Sequence, residues 1–283
     1  MLKIPQSFQS SKKTALIDGD IITYRVGFAC ESPTYFLEEE GEILKFSNKT
    51  SLKHFMLENK VPEVDEDGQQ TWWQVEREPS LIEAIVHCAY LIDSILENTE
   101  SSNYKLFLTG KDNFRDKIAT TVPYKGNREG RKPKLYSEIR EHLVMHKGAI
   151  VINGMEADDA MSLNQTDSTV ICSIDKDLDM VPGEHYNFVK ETGYMISEHE
   201  GMHNFFIQVL TGDATDNIQG IPKVGSIKAQ RILAGCQTEE EYIQAVTAAY
   251  VEYFEDEDLA TSLLAENASL LWMLRRDKEC PIG

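Results

Sequence analysis

The stretch Ala149–Ser162, AIVINGMEADDAMS, passes from an apolar, strand-like run into a helix-like segment through three carboxylates in four positions, Glu156, Asp158 and Asp159. Like charges at the end of an apolar strand repel each other and resist burial. They are tolerated there as helix-capping acids, as ligands for a counter-charge, or as both. The rest of the chain repeats the pattern. Thr14–Asp18 (TALID), Lys105–Leu108 and Thr169–Ile174 (TVICSI) are short apolar runs, and between them lie segments of helical spacing such as Leu81–Leu96. Strands alternating with helices predict an α/β fold with a mostly parallel sheet, right-handed crossovers and a site at the carboxyl ends of the strands.

Residues 31–79 interrupt this rhythm and read as an insertion. Thr34–Phe46 alternates around Gly41 as a hairpin would, and VPEVDEDGQQ (61–70) reads as a mobile loop. Trp72 and Trp73 are expected to anchor the insertion to the body, with stacking on bases as the alternative. After residue 200 the pattern becomes helical with tight Gly/Pro turns: FFIQVL, GIPKVG, SIKAQRIL, then a long acidic amphipathic region ending in LLWMLRR.

With 283 residues the chain can bury a substantial core. Its five cysteines are far apart with no C-x-x-C spacing, so neither a disulfide framework nor a zinc site is indicated. The N-terminal stretch has no apolar h-region and no run is long enough to span a bilayer, so a cytoplasmic protein is expected. The net charge of -19 argues against a nucleic-acid partner until its distribution is considered. Between Arg115 and Lys134 seven basic residues face two acidic ones, a cationic segment in an anionic protein.

Eight acids fall into four clusters: Asp18; Glu156, Asp158 and Asp159; Asp175 and Asp177 in SIDKD; Asp213 and Asp216 in TGDATDN. On an extended strand end Asp175 and Asp177 would point the same way, and on a helical turn Asp213 and Asp216 would do likewise. Taken singly, E-x-D-D can be a helix cap, D-K-D a turn and GDATDN a turn with a cap. Converging at one sheet edge, they require counter-charge. Hard divalent cations, Mg²⁺ or Mn²⁺, taken as a pair, suit an all-oxygen set. Nearby, YKGNREGRKPK (124–134) offers Lys125 and Arg128, three apart as on one helix face, to phosphates, with Arg131 and Lys132 following and Tyr124 placed to stack on a base. GIPKVGSIKA (220–229) suggests a loop that lets a phosphate backbone approach, with Lys223 and Lys228 as cations and a helix starting near Ser226.

A haloacid-dehalogenase-type phosphatase would use part of this set, with Asp18 as nucleophile and Thr109 and GDATDN following in order. It leaves E-x-D-D, D-K-D, YKGNR and GIPKVG without a role. A catalytically silent DNA-binding scaffold is the other alternative.

Taken in order, LIDGD, YKGNR, GMEADDA, SIDKDLD, TGDATDN and GIPKVG resemble the phage-type 5′ nucleases: the flap endonucleases and 5′–3′ exonucleases related to the 5′-nuclease domain of bacterial DNA polymerase I. The resemblance covers roughly residues 14–29 and 104–233. It implies a PIN-like central, mostly parallel sheet flanked by helices, a helical arch (115–147) and a C-terminal helix–three-turn–helix subdomain, with a catalytic domain over 1–200 and a DNA-binding region over 201–283. It implies metal ligation by Asp18, Glu156, Asp158, Asp159, Asp175, Asp177, Asp213 and Asp216. Lys125 and Arg128 match the base of the arch and Tyr124 the aromatic next to them. Gly220, Pro222, Val224 and Gly225 match a DNA-backbone loop that often holds K⁺. The implied substrates are DNA 5′ ends, flaps and nicks, with RNA–DNA hybrids as a further class, handled by a monomer in the cytoplasm, that of a host if the chain is phage-encoded. One departure stands out: family members carry an aspartate after the second strand, upstream of an arginine that Arg115 matches, and here that position is Gly110, with Asp112 two residues on.

Overall fold

The structure, a computed structural model, describes residues 13–39, 41–128 and 130–282. In chain order the elements are β1 (Thr14–Asp18), α1 (Gly19–Glu31), β2 (Thr34–Glu39), β3 (Glu42–Phe46), α2 (Lys49–Asn59), β4 (Trp72–Val75), α3 (Leu81–Asn98), β5 (Asn103–Thr109), α4 (Arg115–Ile118), α5 (Tyr136–Lys147), β6 (Ile150–Ile152) and α6 (Ala157–Asn164). They continue with β7 (Thr169–Cys172), a 3-10 turn (Lys176–Met180), β8 (Gly183–Asn187), β9 (Thr192–Ile196), α7 (Glu198–Thr211), β10 (Gly212–Asp213), β11 (Ile218–Gln219), α8 (Ser226–Ile232), α9 (Glu239–Phe254) and α10 (Glu257–Leu271). The chain forms two compact units, one from residues up to 21 with 92–130 and 143–283, the other from 22–91 and 131–142.

The first unit holds a six-stranded sheet in the order β6-β5-β1-β7-β8-β9, flanked by helices. β1 is parallel to β5 and β7, with Ile17 opposite both Leu106 and Cys172, so Asp18 leaves the sheet at the edge from which β5 and β7 also exit. β6 is parallel to β5 and β8 to β7, while β9 alone runs antiparallel. The run of buried Val, Ile and Leu in β1, β5 and β7 is what a sheet covered on both faces demands. The mostly parallel α/β architecture expected from the alternating runs is therefore present.

The helices after residue 200 share one hydrophobic core with that sheet. Leu16, Phe107 and Ile171 lie in the same cluster as Phe205, Phe206, Tyr242, Tyr250 and Trp272. Phe206 stacks on Tyr242 with centroids 5.1 Å apart, and Phe205 meets Trp272 edge-on at 5.0 Å. The boundary expected at residue 200 is thus a change of secondary structure within one packed unit. Residues 119–128 and 130–135, expected as part of a helical arch, contain turns and irregular chain between α4 and α5.

The second unit has its own antiparallel sheet, β3-β2-β4, packed on α2 through Leu37, Leu52, Met56 and Trp72. The hairpin turns at Gly41, whose φ of 83° suits glycine. Asp65 shapes the 61–70 segment by accepting from the amides of Asp67 and Gln69 at 3.0 and 2.8 Å. Trp72 anchors the insertion's own core rather than the body. Trp73 is 39% exposed and stacks on Phe36.

A single buried cation ties the first unit together. Arg115, fully buried at the start of α4, donates both terminal nitrogens to Asp159 on α6, at 2.5 and 2.9 Å. Its Nε donates to the Leu270 carbonyl at 2.7 Å and Nη2 to that of Trp272 at 2.8 Å, where α10 ends. Burial would lower the affinity of Arg115 for its proton, but the bond and charge of Asp159 outweigh this and hold the guanidinium charged. Removing one partner of a buried pair strands the other charge. Asp159→Ala is therefore expected to cost about 3–5 kcal/mol in urea unfolding; a loss under about 1 kcal/mol would show that the pair is not the fastener described.

Candidate active site

The acids after β1, β6 and β7 meet at the carboxyl edge of the sheet. Asp18, 3% exposed, accepts from the Ile21 amide at 3.0 Å and from Ser173 Oγ at 2.9 Å. Ser173 Oγ also accepts from the Asp175 amide at 3.1 Å, so one hydroxyl links the ends of β1 and β7. Asp175 caps the 3-10 turn by accepting from the Asp177 amide at 2.9 Å. D-K-D is therefore a capped turn and not the extended strand end expected. Glu156 precedes α6 and Asp158 lies in its first turn.

Burial raises Asp18 to about 7, with the charges of Asp20 and Asp175 adding to the shift and the Ile21 and Ser173 bonds opposing it. Burial also pushes Asp158 well above the usual carboxylate range, helped by Asp18, Asp175 and Glu156 and only partly offset by Lys125. Asp158 Oδ1 is shut off from water and has no hydrogen-bond partner. Asp177 is raised to about 6, by burial first and then by Asp175.

The remaining acids are paired within the protein. Asp159 is committed to Arg115 and also accepts from the amides of Glu156 and Leu274, each at 3.2 Å, which sets it apart from the acid set it was grouped with. Glu156 is bonded to Lys125, and Asp216 to Arg128 at 2.5 Å. Tyr124, 8% exposed, donates toward Asp216 at 2.7 Å and Glu156 at 3.1 Å. Burial and those two charges keep its phenol far from ionising. It is a buried linker between acids, not the open stacking surface expected. Asp213 lies on β10, and its Oδ1 accepts from the amides of Thr215 and Asp216 at 2.7 and 3.2 Å. The β10–β11 hairpin, rather than a strand of the main sheet, therefore brings Asp213 and Asp216 to the site. Burial alone would raise Asp213, but the bond and charge of Lys176 with these amides leave it below its ordinary value.

Lys125 and Arg128 sit on a turn, with Lys125 at a φ of 54°, rather than on the helix face expected. Their charges meet all the same because both reach the Glu156–Asp216 side of the site. Arg131 and Lys132 belong to the second unit, where Arg131 pairs with Glu31 and Lys132 lies over the Tyr136 ring at 4.4 Å.

The 220–225 loop follows the hairpin. Ile221 and Val224 are buried and fix it, whereas Pro222, Lys223 and Gly225 are exposed and Lys228 points outward from α8. Gly220 is required by the protein's own backbone, since a Cβ there would lie 2.2 Å from the Thr211 carbonyl carbon. An open groove of about 600 Å³ lies along this loop, lined by Asn127, Asn217, Gly220, Pro222, Lys223 and Gly225 among others.

The Gly110 departure has a steric cause. A Cβ at Gly110 would meet Asn153 Oδ1 at 2.2 Å and the Ile152 carbonyl at 2.5 Å. Strands β5 and β6 close on each other at that point, with the Gly110 amide donating to the Ile152 carbonyl at 2.6 Å. Asp112 is exposed. Sequence reasoning missed Asp20, whose Oδ2 accepts from the Thr109 amide at 2.8 Å and whose charge adds to that on Asp18. The D-G-D pattern was the available signal.

Among the described residues no three His, Cys, Asp or Glu side chains stand close enough together to hold one ion. The donor chemistry nonetheless suits hard cations: every candidate ligand is a carboxylate, and Asp158 presents an orphaned buried oxygen. Asp18, Asp158 and Asp175 would have to draw closer around such an ion to hold it, with Asp177, Asp213, Asp216 and Glu156 on the side where Lys125, Arg128 and Lys176 stand.

The mostly parallel sheet with its acid edge, followed by the β10–β11 hairpin and helices, has counterparts among solved structures. Over 90% of this chain and 88% of theirs, solved structures of bacteriophage T5 D15 protein superpose with a TM-score of 0.52: one co-crystallised with metal ions, at 16% identity, and one a flap endonuclease variant with DNA and metal ions, at 14% identity. In sequence, an alignment 155 positions long that covers 46% of this chain is 32% identical to a 5′-3′ exonuclease of Buchnera aphidicola subsp. Schizaphis graminum; the match spans 53% of that protein, about half its length. No family model matches the chain. The resemblance to the 5′ nuclease family read from the motifs thus holds in both sequence and fold.

Two outcomes follow. Gly110→Asp should cost about 1–3 kcal/mol in stability, the range for forcing atoms into a packed site; an unchanged melting temperature would disprove the clash. The second concerns pH. A carboxyl bound more tightly to its proton in the folded than in the unfolded state stabilises the fold at low pH and ceases to do so as pH rises through the folded value. In EDTA, stability should therefore fall between about pH 4 and pH 7 because of Asp18 and Asp177. Asp18→Asn should flatten that fall in a melting series; a variant curve parallel to wild type would remove Asp18 as the cause.

Proposed function

We propose that the protein is a divalent-metal-dependent 5′ nuclease that hydrolyses DNA phosphodiester bonds at or near 5′ ends, as a 5′–3′ exonuclease, a flap endonuclease or both. The observation that carries this reading is the under-compensated group of buried Asp18, half-buried Asp158 with its one buried unpartnered oxygen, and half-buried Asp175 at the carboxyl edge of the sheet, in a fold shared with T5 proteins solved with metal ions and DNA.

Mg²⁺ or Mn²⁺, when bound, would supply Lewis-acid charge to activate water and stabilise the departing oxygen. The chain's own groups do the rest. Asp18, Asp158 and Asp175 would hold one cation, with Asp177 and Asp213 beside them for a second, and α6 and the capped 3-10 turn fix the positions of Asp158 and Asp175. Lys125 and Arg128 exchange Glu156 and Asp216 for the scissile phosphate, where their charge opposes that gathering on the phosphoryl oxygens. Tyr124 keeps Glu156 and Asp216 apart and aligned. Pro222, Lys223, Gly225 and Lys228 offer the duplex backbone an exposed loop, a candidate K⁺ site, while buried Val224 anchors it. RNA–DNA hybrids, a monomeric state, a cytoplasmic location and a role in phage replication or host-DNA breakdown belong to the same proposal. Among the described residues no helix is long and apolar enough to cross a membrane.

The phosphatase alternative is disfavoured by the site. An Asp18 raised to about 7 is a poor nucleophile at neutral pH, and Thr109 Oγ is used to accept from the Ala157 amide at 3.0 Å.

A 5′-labelled duplex, a nicked duplex, a flap and an RNA–DNA hybrid should release short 5′ products with Mg²⁺ or Mn²⁺ and none with EDTA. Asp158→Asn with Asp175→Asn should abolish cutting while DNA affinity stays within about tenfold, or about 1.4 kcal/mol. Cutting that survives the double change would place the chemistry elsewhere.

A further inference from the structure

The two sides of the acid site differ in how they are neutralised. Among the described residues Asp18, Asp158 and Asp175 have no side-chain ion pair of their own, and Asp158 Oδ1 is buried without a partner. On the other side the ammonium of Lys176 lies 2.6 Å from Asp213 Oδ2 and 3.5 Å from Asp177 Oδ1. Lys176 lies between Asp175 and Asp177 in sequence, on the first residue of the 3-10 turn. Its backbone is fixed by the Asp175 cap, yet its side chain is 66% exposed.

We propose that Lys176 is a built-in stand-in for the second cation: without DNA its ammonium bridges Asp177 and Asp213, so the resting protein takes up one divalent ion tightly and the second only when Lys176 withdraws. This rests on the nuclease reading and deepens it. The physical case has two parts. A carboxylate pair already bridged by an ammonium has little remaining charge to offer an ion, and an arriving divalent ion would also meet the like charge of the lysine. The exposed side chain makes the bridge weak and reversible, as solvated ion pairs are, so the lysine can leave without unfolding anything. Once released, the ammonium is a point charge beside the site, free to meet a substrate phosphate. The second cation and the substrate would then arrive together, which limits loading of the full site on a protein without DNA.

The test is Mn²⁺ binding to the protein without DNA, followed by isothermal titration and by the loss of the free-Mn²⁺ paramagnetic signal. Wild type should show one tight ion and one weak one. Lys176→Met, which keeps length and removes charge, should tighten the weak ion by about fivefold or more. Lys176→Arg, which keeps the charge, should behave like wild type. Superimposable isotherms for wild type and Lys176→Met would overturn the proposal, as would equal tightening in Met and Arg variants, since charge would not be the cause. If no variant binds Mn²⁺ at all, the metal-dependent nuclease reading itself fails, an outcome distinct from failure of the lysine's role.

Discussion

A guanidinium with no access to water must be matched on every side, and the matching of Arg115 organises the first unit. Its two bonds to Asp159 hold α6, the helix whose entrance carries Glu156 and Asp158. Its bonds to the carbonyls of Leu270 and Trp272 hold the end of α10. The same helix reaches forward, since Glu266 on α10 accepts from the amides of Thr120 and Thr121 at 2.8 Å. That fixes the start of the segment that carries Tyr124, Lys125 and Arg128. A buried ion pair is weak evidence of net stability, because desolvation offsets most of the attraction. Here it acts as a locator: acids from β6–α6 and cations from 119–128 are set relative to each other through one buried charge.

The charge crowding in GMEADDAMS then resolves unequally. Asp159 is a structural acid, Glu156 is half of a pair with Lys125, and Asp158 alone stays without a partner for its buried oxygen. Counting acids overestimates the number free for cations, because the protein supplies its own counter-charges, Lys125, Arg128 and Lys176, to half of the site. Under the proposed function, these contacts also explain how an anionic chain would handle DNA. The cations that would touch phosphate are already at the site, held on the acids they would leave.

Much of this was legible in the chain. The four runs ending at Asp18, Leu108, Ile152 and Ile174 are strands β1, β5, β6 and β7, and Leu81–Leu96 is helix α3. Periodicity and β-branching suffice for β1, β5 and β7 because their central residues are buried, and β6, an exposed edge strand, is marked by its β-branched run alone. β8 and β9 escaped because GEHYN and TGYMI are polar or mixed, which a strand near the sheet's edge tolerates once its neighbour supplies the hydrogen bonds. The acids were legible as a set but not in their division of labour. Whether an aspartate meets an arginine forty-four residues away, as Asp159 meets Arg115, is decided by tertiary packing and leaves no local mark. Gly110 was visible as a missing acid, while its cause, the approach of Asn153 and Ile152 from β6 and the turn after it, was not.

Capping and catalysis are often treated as competing explanations for an acid at an element's end. Asp175 shows that they need not compete. Its Oδ1 accepts from the Asp177 amide, which fixes the 3-10 turn, and its charge still raises both Asp18 and Asp158. Such a bond settles where the carboxylate stands without neutralising it. Asp213 differs in one respect: two amides fix it in the same way, but Lys176 also neutralises it, and its affinity for protons falls. Position is thus set by backbone amides on both sides of the site, and reactivity by whether a side-chain cation is present. A fold built this way keeps its acids in place without any ion, because backbone amides hold them.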